Sequence, residues 1–277
     1  MAKKILEAEV LSNEEISPGI FRMSMYVPEA AAEAAAGQFV NIYPADKSLI
    51  LPRPFGICDA NSSEGTVDIV YQVVGQGTEE MSQAERGTLY RIAGPLGNGF
   101  DLSVFDDSVS GAGASGRSAV IIGGGVGCSP LLFLAKTLRK MGVNATAVLG
   151  FRKDKFLVED FRDADCRVLV TTDEPDESSF LGTVVDCMRV TELEGDEYFA
   201  CGPGPMLKAV GRYIKDRSDD SHLQVSMEER MGCGYGVCMG CSIDVKEPDE
   251  NGNIIKTHRR VCCDGPVFRG SEVIWHD

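Results

Sequence analysis

The chain has 277 residues, 43% hydrophobic and 25% charged, the balance of an ordinary globular protein rather than a disordered or fibrous one. That length exceeds one small core and suits two compact domains with an appendage. With 42 acidic against 27 basic side chains, the net charge is −15, which repels nucleic-acid phosphates and anionic membranes, so neither is an expected partner.

The start, Met1-Ala2-Lys3-Lys4, is not followed by the apolar stretch of a secretory signal, and no run of about 18 apolar residues follows anywhere. A cytoplasmic protein is expected. Residues 1–105 read as β-structure: short apolar stretches at 8–11, 21–27, 38–42, 66–74 and 89–93 are separated by prolines and glycines. Within 66–74 the apolar residues Val67, Ile69, Tyr71 and Val73 alternate, as on a strand with one buried face. Strands at this spacing predict a small closed antiparallel barrel. Residues 106–118 have the Ser/Gly/Ala composition of a linker.

From residue 119 the pattern changes. Ala119-Val120-Ile121-Ile122 is a continuous apolar run, as in a strand buried on both faces. Further strands are expected at 145–151, 167–172 and 197–200, alternating with helices at 130–141, 155–162, 183–190 and 205–216. Residues 119–222 therefore read as an α/β domain with a mostly parallel sheet. Residues 223–277 are short, rich in glycine and cysteine, and weakly periodic. Such a segment needs a staple, and a metal centre is one.

Five of the ten cysteines crowd that segment. In a reducing compartment they read as metal ligands rather than as a disulfide framework. Cys233, Cys238 and Cys241 have the spacing C-x4-C-x2-C, and a further cysteine lies at Cys262, the plant-type [2Fe–2S] pattern. Two bridged irons need four converging thiolates. Gly232, Gly234, Gly236 and Gly240 let one loop fold around them, and their N–H groups can donate to sulfur. The competing readings are a structural zinc, which usually takes two C-x2-C knuckles where one exists here, and unconnected thiols. Cys262 and Cys263 are adjacent, and only one can easily face the cluster.

Other motifs point to nucleotides. Arg53-Pro54-Phe55-Gly56 offers a guanidinium fork suited to a pyrophosphate, although an arginine between prolines is also simply a rigid turn. Tyr71, between Val70 and Gln72, could pack on an aromatic ring. Gly77-Thr78 opens a helix and could hold phosphate through N–H groups and the hydroxyl. Gly123-Gly124-Gly125-Val126-Gly127-Cys128 follows a buried strand and lets a dinucleotide approach the backbone, but Cys128 replaces the last glycine of the G-x-G-x-x-G fingerprint. Cys201-Gly202-Pro203 ends a strand where ligands sit in open α/β sheets. Cys201 could border a nicotinamide ring, or be a buried strand-end cysteine. Thr171-Thr172-Asp173 is a candidate ribose contact that does not decide NAD against NADP.

In this order, Arg-Pro-x-Gly, Gly-x-Gly-x-x-Pro (Gly125, Gly127, Pro130) and Cys-Gly-Pro resemble the ferredoxin–NADP reductase superfamily. Glu229-Arg230-Met231-Gly232-Cys233-Gly234, with Val261-Cys262-Cys263-Asp264-Gly265-Pro266-Val267-Phe268, is similar to the electron-transfer subunits of B-type, NAD-dependent dihydroorotate dehydrogenases. The resemblance covers essentially the whole chain. It implies FAD on the barrel at Arg53, Pro54, Phe55, Gly56, Val70, Tyr71, Gln72, Gly77 and Thr78. It implies a [2Fe–2S] cluster on Cys233, Cys238, Cys241 and Cys262, with Cys263 a bystander; Gly125 and Gly127, with Cys201, are the candidate NAD residues. It further implies a separate FMN-containing catalytic subunit, a heterotetramer and a place in pyrimidine biosynthesis. Small subunits of NADH-dependent ferredoxin–NADP reductases and of sulfide dehydrogenases look similar but tend to carry aspartate where this chain has Cys233.

Overall fold

A computed structural model describes residues 4–106, 116–217 and 220–276. The N-terminal half is a closed antiparallel barrel of β1 (Ile5–Ser17), β2 (Ile20–Tyr26), β3 (Phe39–Tyr43), β4 (Arg53–Asn61), β5 (Thr66–Gln72) and β6 (Leu89–Leu96), in the order β1-β2-β5-β4-β3-β6. Two short helices, α1 (Pro28–Glu33) and α2 (Gln76–Ser82), lie in the connections. The expected barrel is present. Strand β4 carries the Arg-Pro-Phe-Gly motif and was absent from the strands expected on pattern, because prolines at 52 and 54 read as turns. Pro54 stands in β4 opposite Asn41 of β3.

The second half is built on β7 (Ser118–Gly124), β8 (Asn144–Phe151), β9 (Arg167–Thr172), β10 (Phe180–Leu181), β11 (Glu197–Cys201) and β12 (Leu223–Ser226). A hairpin of β13 (Ser242–Pro248) and β14 (Ile254–Arg260) follows, then β15 (Val267–Arg269). One seven-stranded sheet runs β10-β9-β8-β7-β11-β12-β15, parallel except for β15. Its helices are α3 (Cys128–Lys140), α4 (Val158–Asp163), α5 (Val184–Val190) and α6 (Gly204–Lys215). In α3, Leu131, Leu134, Ala135 and Leu138 are all fully buried, which is the helical spacing of a core face. Thr183 caps α5, exchanging hydrogen bonds with Asp186 in a capping box.

The linker at 106–118 falls largely on residues 107–115, outside the described residues, and Ser118 already belongs to β7. Strands β12 and β15, both inside the expected C-terminal segment 223–277, pair into the same sheet as β7 to β11. Strand β12, Leu-Gln-Val-Ser, continues the parallel order with two buried polar residues and is too short to read as a strand from pattern alone. Among the described residues no helix is long and apolar enough to cross a membrane.

Barrel and sheet share packing. Phe199 of β11 is fully buried and meets Phe100 edge-on at 5.4 Å, with Phe105 at 6.4 Å, so the chain leaving the barrel is pinned to the sheet. Phe199→Ala is expected to cost about 3–5 kcal/mol. Chemical denaturation followed by fluorescence checks this through a lower midpoint.

Candidate redox site and nucleotide cleft

The three cysteines of C-x4-C-x2-C lie on one loop between β12 and β13. The loop turns through left-handed backbone at Gly234 (φ 71°) and Gly236 (φ 82°), which explains glycine at both. Inside this curl the Cys233 sulfur accepts the Tyr235 N–H at 3.3 Å. Burial alone would raise that thiol. The N–H groups of Cys238, Tyr235 and Val237, together with the Cys238 side chain, outweigh it and bring Cys233 down to about 6. The loop is thus a cradle of amides already aimed at a thiolate.

The hairpin supplies the fourth position. Cys241 directly precedes β13, and Cys262 lies just past the end of β14. Ser242 pairs with Arg260, and the Val261 N–H donates to the Cys241 carbonyl at 3.0 Å. The hairpin register therefore brings Cys241 and Cys262 together although they are far apart in sequence. Both are buried, 2% and 1% exposed, and their thiols are hydrogen-bonded. Burial and the Cys241 contact push Cys262 up to about 12, against one N–H from Gly236. Cys263 is half-buried and touches Cys262, Asp264 and Gly236. The four sulfurs stand as two pairs, 233 with 238 and 241 with 262. Among the described residues no three His, Cys, Asp or Glu side chains are set to hold one metal ion. Two pairs suit a cluster of two irons with two thiolates on each.

Arg260 clamps this arrangement. It pairs with Asp264 through Nε at 2.9 Å and Nη2 at 3.2 Å, and donates from Nη1 to the Gly236 carbonyl at 2.7 Å. The sequence holds Arg260 in plain view next to Val261-Cys262, but only the hairpin register reveals that it reaches back to the loop.

On the barrel, Arg53 and Gly77 are in contact: a Cβ at Gly77 would lie 2.6 Å from Arg53 Nε. The guanidinium rests directly on the first turn of α2 and donates to the Leu51 carbonyl. The Thr78 hydroxyl accepts the N–H groups of Val74 (2.9 Å) and Gly75 (3.2 Å) and donates to the Gly75 carbonyl (3.0 Å), so it shapes the turn. Tyr71 is also turned inward. Its ring stacks on Phe21 at 5.8 Å and tilts against Phe55 at 5.6 Å, and its hydroxyl donates to Asn13 at 3.0 Å. Val70 is buried and Gln72 is exposed. Pro54 and Gly56 share the opposite face of β4, and a Cβ on Gly56 would press to 3.0 Å on Pro130 of α3.

A cleft of about 760 Å³ opens at the carboxyl ends of β7, β8, β9 and β11. Gly125 and Gly127 line it, as do Gly202 and Pro203, Thr171 and Asp173, and Gln72 from the barrel. Thr172 does not contribute; its hydroxyl is bonded to the Glu174 carbonyl and Ser179. Cys201 is buried at the strand end behind Gly127 and is not among the residues lining the cleft; burial raises its thiol to about 12, which keeps it neutral. Glu228 was not singled out from sequence. It lines the cleft with an exposed side chain, and partial desolvation raises its carboxyl. Arg152, Lys153 and Asp154 line the cleft too. Their place just after a strand was the available signal. Gly127 has no room for a side chain: a Cβ would sit 2.6 Å from the Cys201 carbonyl oxygen. Gly127→Ala is expected to push the glycine turn off β11 and raise KM for NADH about tenfold, a loss near 1.4 kcal/mol, which steady-state kinetics checks.

Residues 228–274 match the model of the iron–sulfur cluster binding domain of dihydroorotate dehydrogenase B. The electron transfer subunit of dihydroorotate dehydrogenase B (NAD+) from Streptococcus mutans is 40% identical over 96% of this chain and 96% of its own. The corresponding subunit from Bacillus pumilus is 36% identical over 95% and 96%. Among solved structures, a chain of NADH-dependent reduced ferredoxin-NADP oxidoreductase superposes with a TM-score of 0.80 at 30% identity, covering 99% of this chain and 92% of its own. An Amycolatopsis cytochrome P450 reductase shares the fold at a TM-score of 0.68 and 21% identity, over 80% of this chain and 69% of its own. The chain belongs to the family of electron-transfer subunits of NAD-dependent dihydroorotate dehydrogenase B.

Proposed function

We propose that this chain carries electrons from a separate dihydroorotate-oxidising subunit, through a [2Fe–2S] cluster and FAD, to NAD+ in pyrimidine biosynthesis. The observation that carries this reading is the pair of thiol pairs, built by one glycine loop and one hairpin and packed against the barrel wall. The proposed ligands are Cys233 and Cys238 for one iron and Cys241 and Cys262 for the other, with Cys263 outside the set. The organisation we propose is a FAD barrel over 4–105, a nucleotide sheet made by 118–226 with 267–269, and a cluster segment inserted between β12 and β15.

The chemistry supplied by the bound groups is an exchange of single electrons at the cluster for hydride at the flavin. The protein's own residues position and insulate. The amides at 235, 237 and 238 stabilise negative charge on Cys233. Arg260 holds the loop against the return strand. Arg53, with the first turn of α2, would hold the FAD pyrophosphate, and Gly125 and Gly127 would admit NAD to the cleft floor. Cys201, buried directly beneath Gly127, would back that floor with a small uncharged group. Cys238 is exposed, flanked by exposed Val237 and Met239, so the cluster loop has a solvent face toward which the FMN-bearing subunit would dock. A heterotetramer with two copies of each subunit is part of this reading.

Two measurements test it. Full-length Cys262→Ser is expected to lose most of the rhombic paramagnetic resonance signal of the reduced cluster while Cys263→Ser keeps it; the reverse would shift the ligand by one residue. The purified chain is expected to be yellow-brown and to reduce dyes with NADH, and a tagged chain should retain an FMN-containing dihydroorotate dehydrogenase subunit. Recovery of a large flavoprotein with additional iron–sulfur clusters would instead favour a ferredoxin–NADP reductase or sulfide dehydrogenase subunit.

A further inference from the structure

The left-handed turn at Gly236 (φ 82°) lies between two amides that reach different pairs of sulfurs. Its own N–H donates to Cys262, and the next N–H, that of Val237, donates to Cys233. Successive N–H groups around a left-handed residue point into one concavity, which suits negative charge. Gly236 thus joins the pair 233 with 238 to the pair 241 with 262. A side chain has no room there: a Cβ would lie 2.6 Å from Cys263 Sγ and 3.3 Å from Arg260 Nη1.

The Gly236 carbonyl accepts from Arg260 Nη1 at 2.7 Å. That carbonyl and the Val237 N–H belong to one planar peptide unit and point to opposite sides of it. A line of hydrogen bonds therefore runs from the guanidinium, through this peptide, to the Cys233 sulfur. Bonds in such a chain polarise one another. Arg260 is itself fixed. Its backbone N–H and its Nε both donate to Asp264 Oδ2, at 2.8 and 2.9 Å, and Nη2 donates to Oδ1 at 3.2 Å. Its carbonyl accepts the Asp264 N–H at 2.8 Å. The carboxylate takes the Nε–Nη2 edge, which leaves Nη1 for the loop. The guanidinium carries its charge at every relevant pH. Reducing a cluster adds negative charge, so a nearby cation and N–H donors to its sulfurs favour the reduced form. We infer that Arg260 is a positioning residue that holds the amides of Gly236 and Val237 onto Cys262 and Cys233 and thereby raises the reduction potential of the cluster those thiolates bind. The inference rests on the [2Fe–2S] reading of the four thiols.

The test is a redox titration of the full-length, cluster-loaded chain, followed by the paramagnetic resonance of the reduced cluster. It compares wild type with Arg260→Gln, Arg260→Lys and Asp264→Asn. Arg260→Gln is expected to lower the equilibrium constant for cluster reduction about tenfold, which is about 59 mV for one electron. Arg260→Lys keeps the charge and should stay closer to wild type. Asp264→Asn removes the opposing charge but keeps an acceptor for the guanidinium, so its cluster potential is expected to rise. The flavin potential should be unchanged in all three. An unchanged cluster potential in Arg260→Gln would overturn the assignment. So would a fall in both Arg260→Gln and Asp264→Asn, the mark of a clamp without an electrostatic role. If Arg260→Gln holds no cluster, Asp264→Asn decides alone: a rise supports the assignment, and a fall or no change removes it. A wild-type chain with no reducible [2Fe–2S] signal would overturn the functional reading of the cysteines and this assignment with it.

Discussion

The return of the chain to its own sheet is the constraint on which the cysteine site depends. The polypeptide leaves the nucleotide sheet at Ser226, makes the glycine loop and the hairpin, and re-enters as β15 antiparallel to β12. Both ends of that excursion are anchored. Gln224 of β12 donates to Glu197 at 2.9 Å, and Arg269 of β15 pairs with the same buried carboxylate and with Asp101 at 2.8 Å. A buried carboxylate is tolerated only when it is paired and hydrogen-bonded. This network ties β11, β12, β15 and the barrel exit to one another. A loop with little apolar area of its own is thus held by elements that have a core.

Anchoring also decides where the loop sits. Its inner side rests on the outer face of β3, with Tyr235 on Tyr43 and Gly234 on Asn41, and its outer side leaves Cys238, Val237 and Met239 exposed. The loop therefore lies between a wall of the barrel and open solvent. An electron carrier that passes charge between a partner and an internal acceptor needs that position. The hairpin adds the second constraint, because its register sets the distance between Cys241 and Cys262.

Much of this was legible in the residues. Alternation in 66–74, the apolar run at 119–122 and the helical spacing of Leu131, Leu134 and Leu138 announce the barrel, the first parallel strand and its helix. Each is a local pattern imposed by burial, of one face in the alternating strand and the helix and of both faces in the continuous run. Less was legible where local and tertiary demands conflict. The prolines around Arg53 imitate turns, yet β4 tolerates Pro54 at a position paired with Asn41. Strand β14 is nearly all exposed and polar, so no buried face marks it. Thr78 and Tyr71 have residue types suited to ligand contact, but their side chains are occupied by the Gly75 turn and by Asn13.

The sequence by itself determined the chemistry available: four thiols at a cluster spacing, glycines where the backbone must turn left-handed, and a guanidinium before Pro-Phe-Gly. These are properties of composition and short spacing, and they survive without knowledge of distant contacts. Only the tertiary structure decided which groups meet. Cys241 and Cys262 are joined by a hairpin register, Arg260 by its reach to Gly236, and Glu228 by the cleft it lines. Asn41 is one polar residue in an apolar strand until packing buries it beside Gly234 with both hydrogen-bonding atoms unmet. The reason is physical: burial and satisfaction of polar groups are set by neighbours far away in the chain, and no local pattern encodes them.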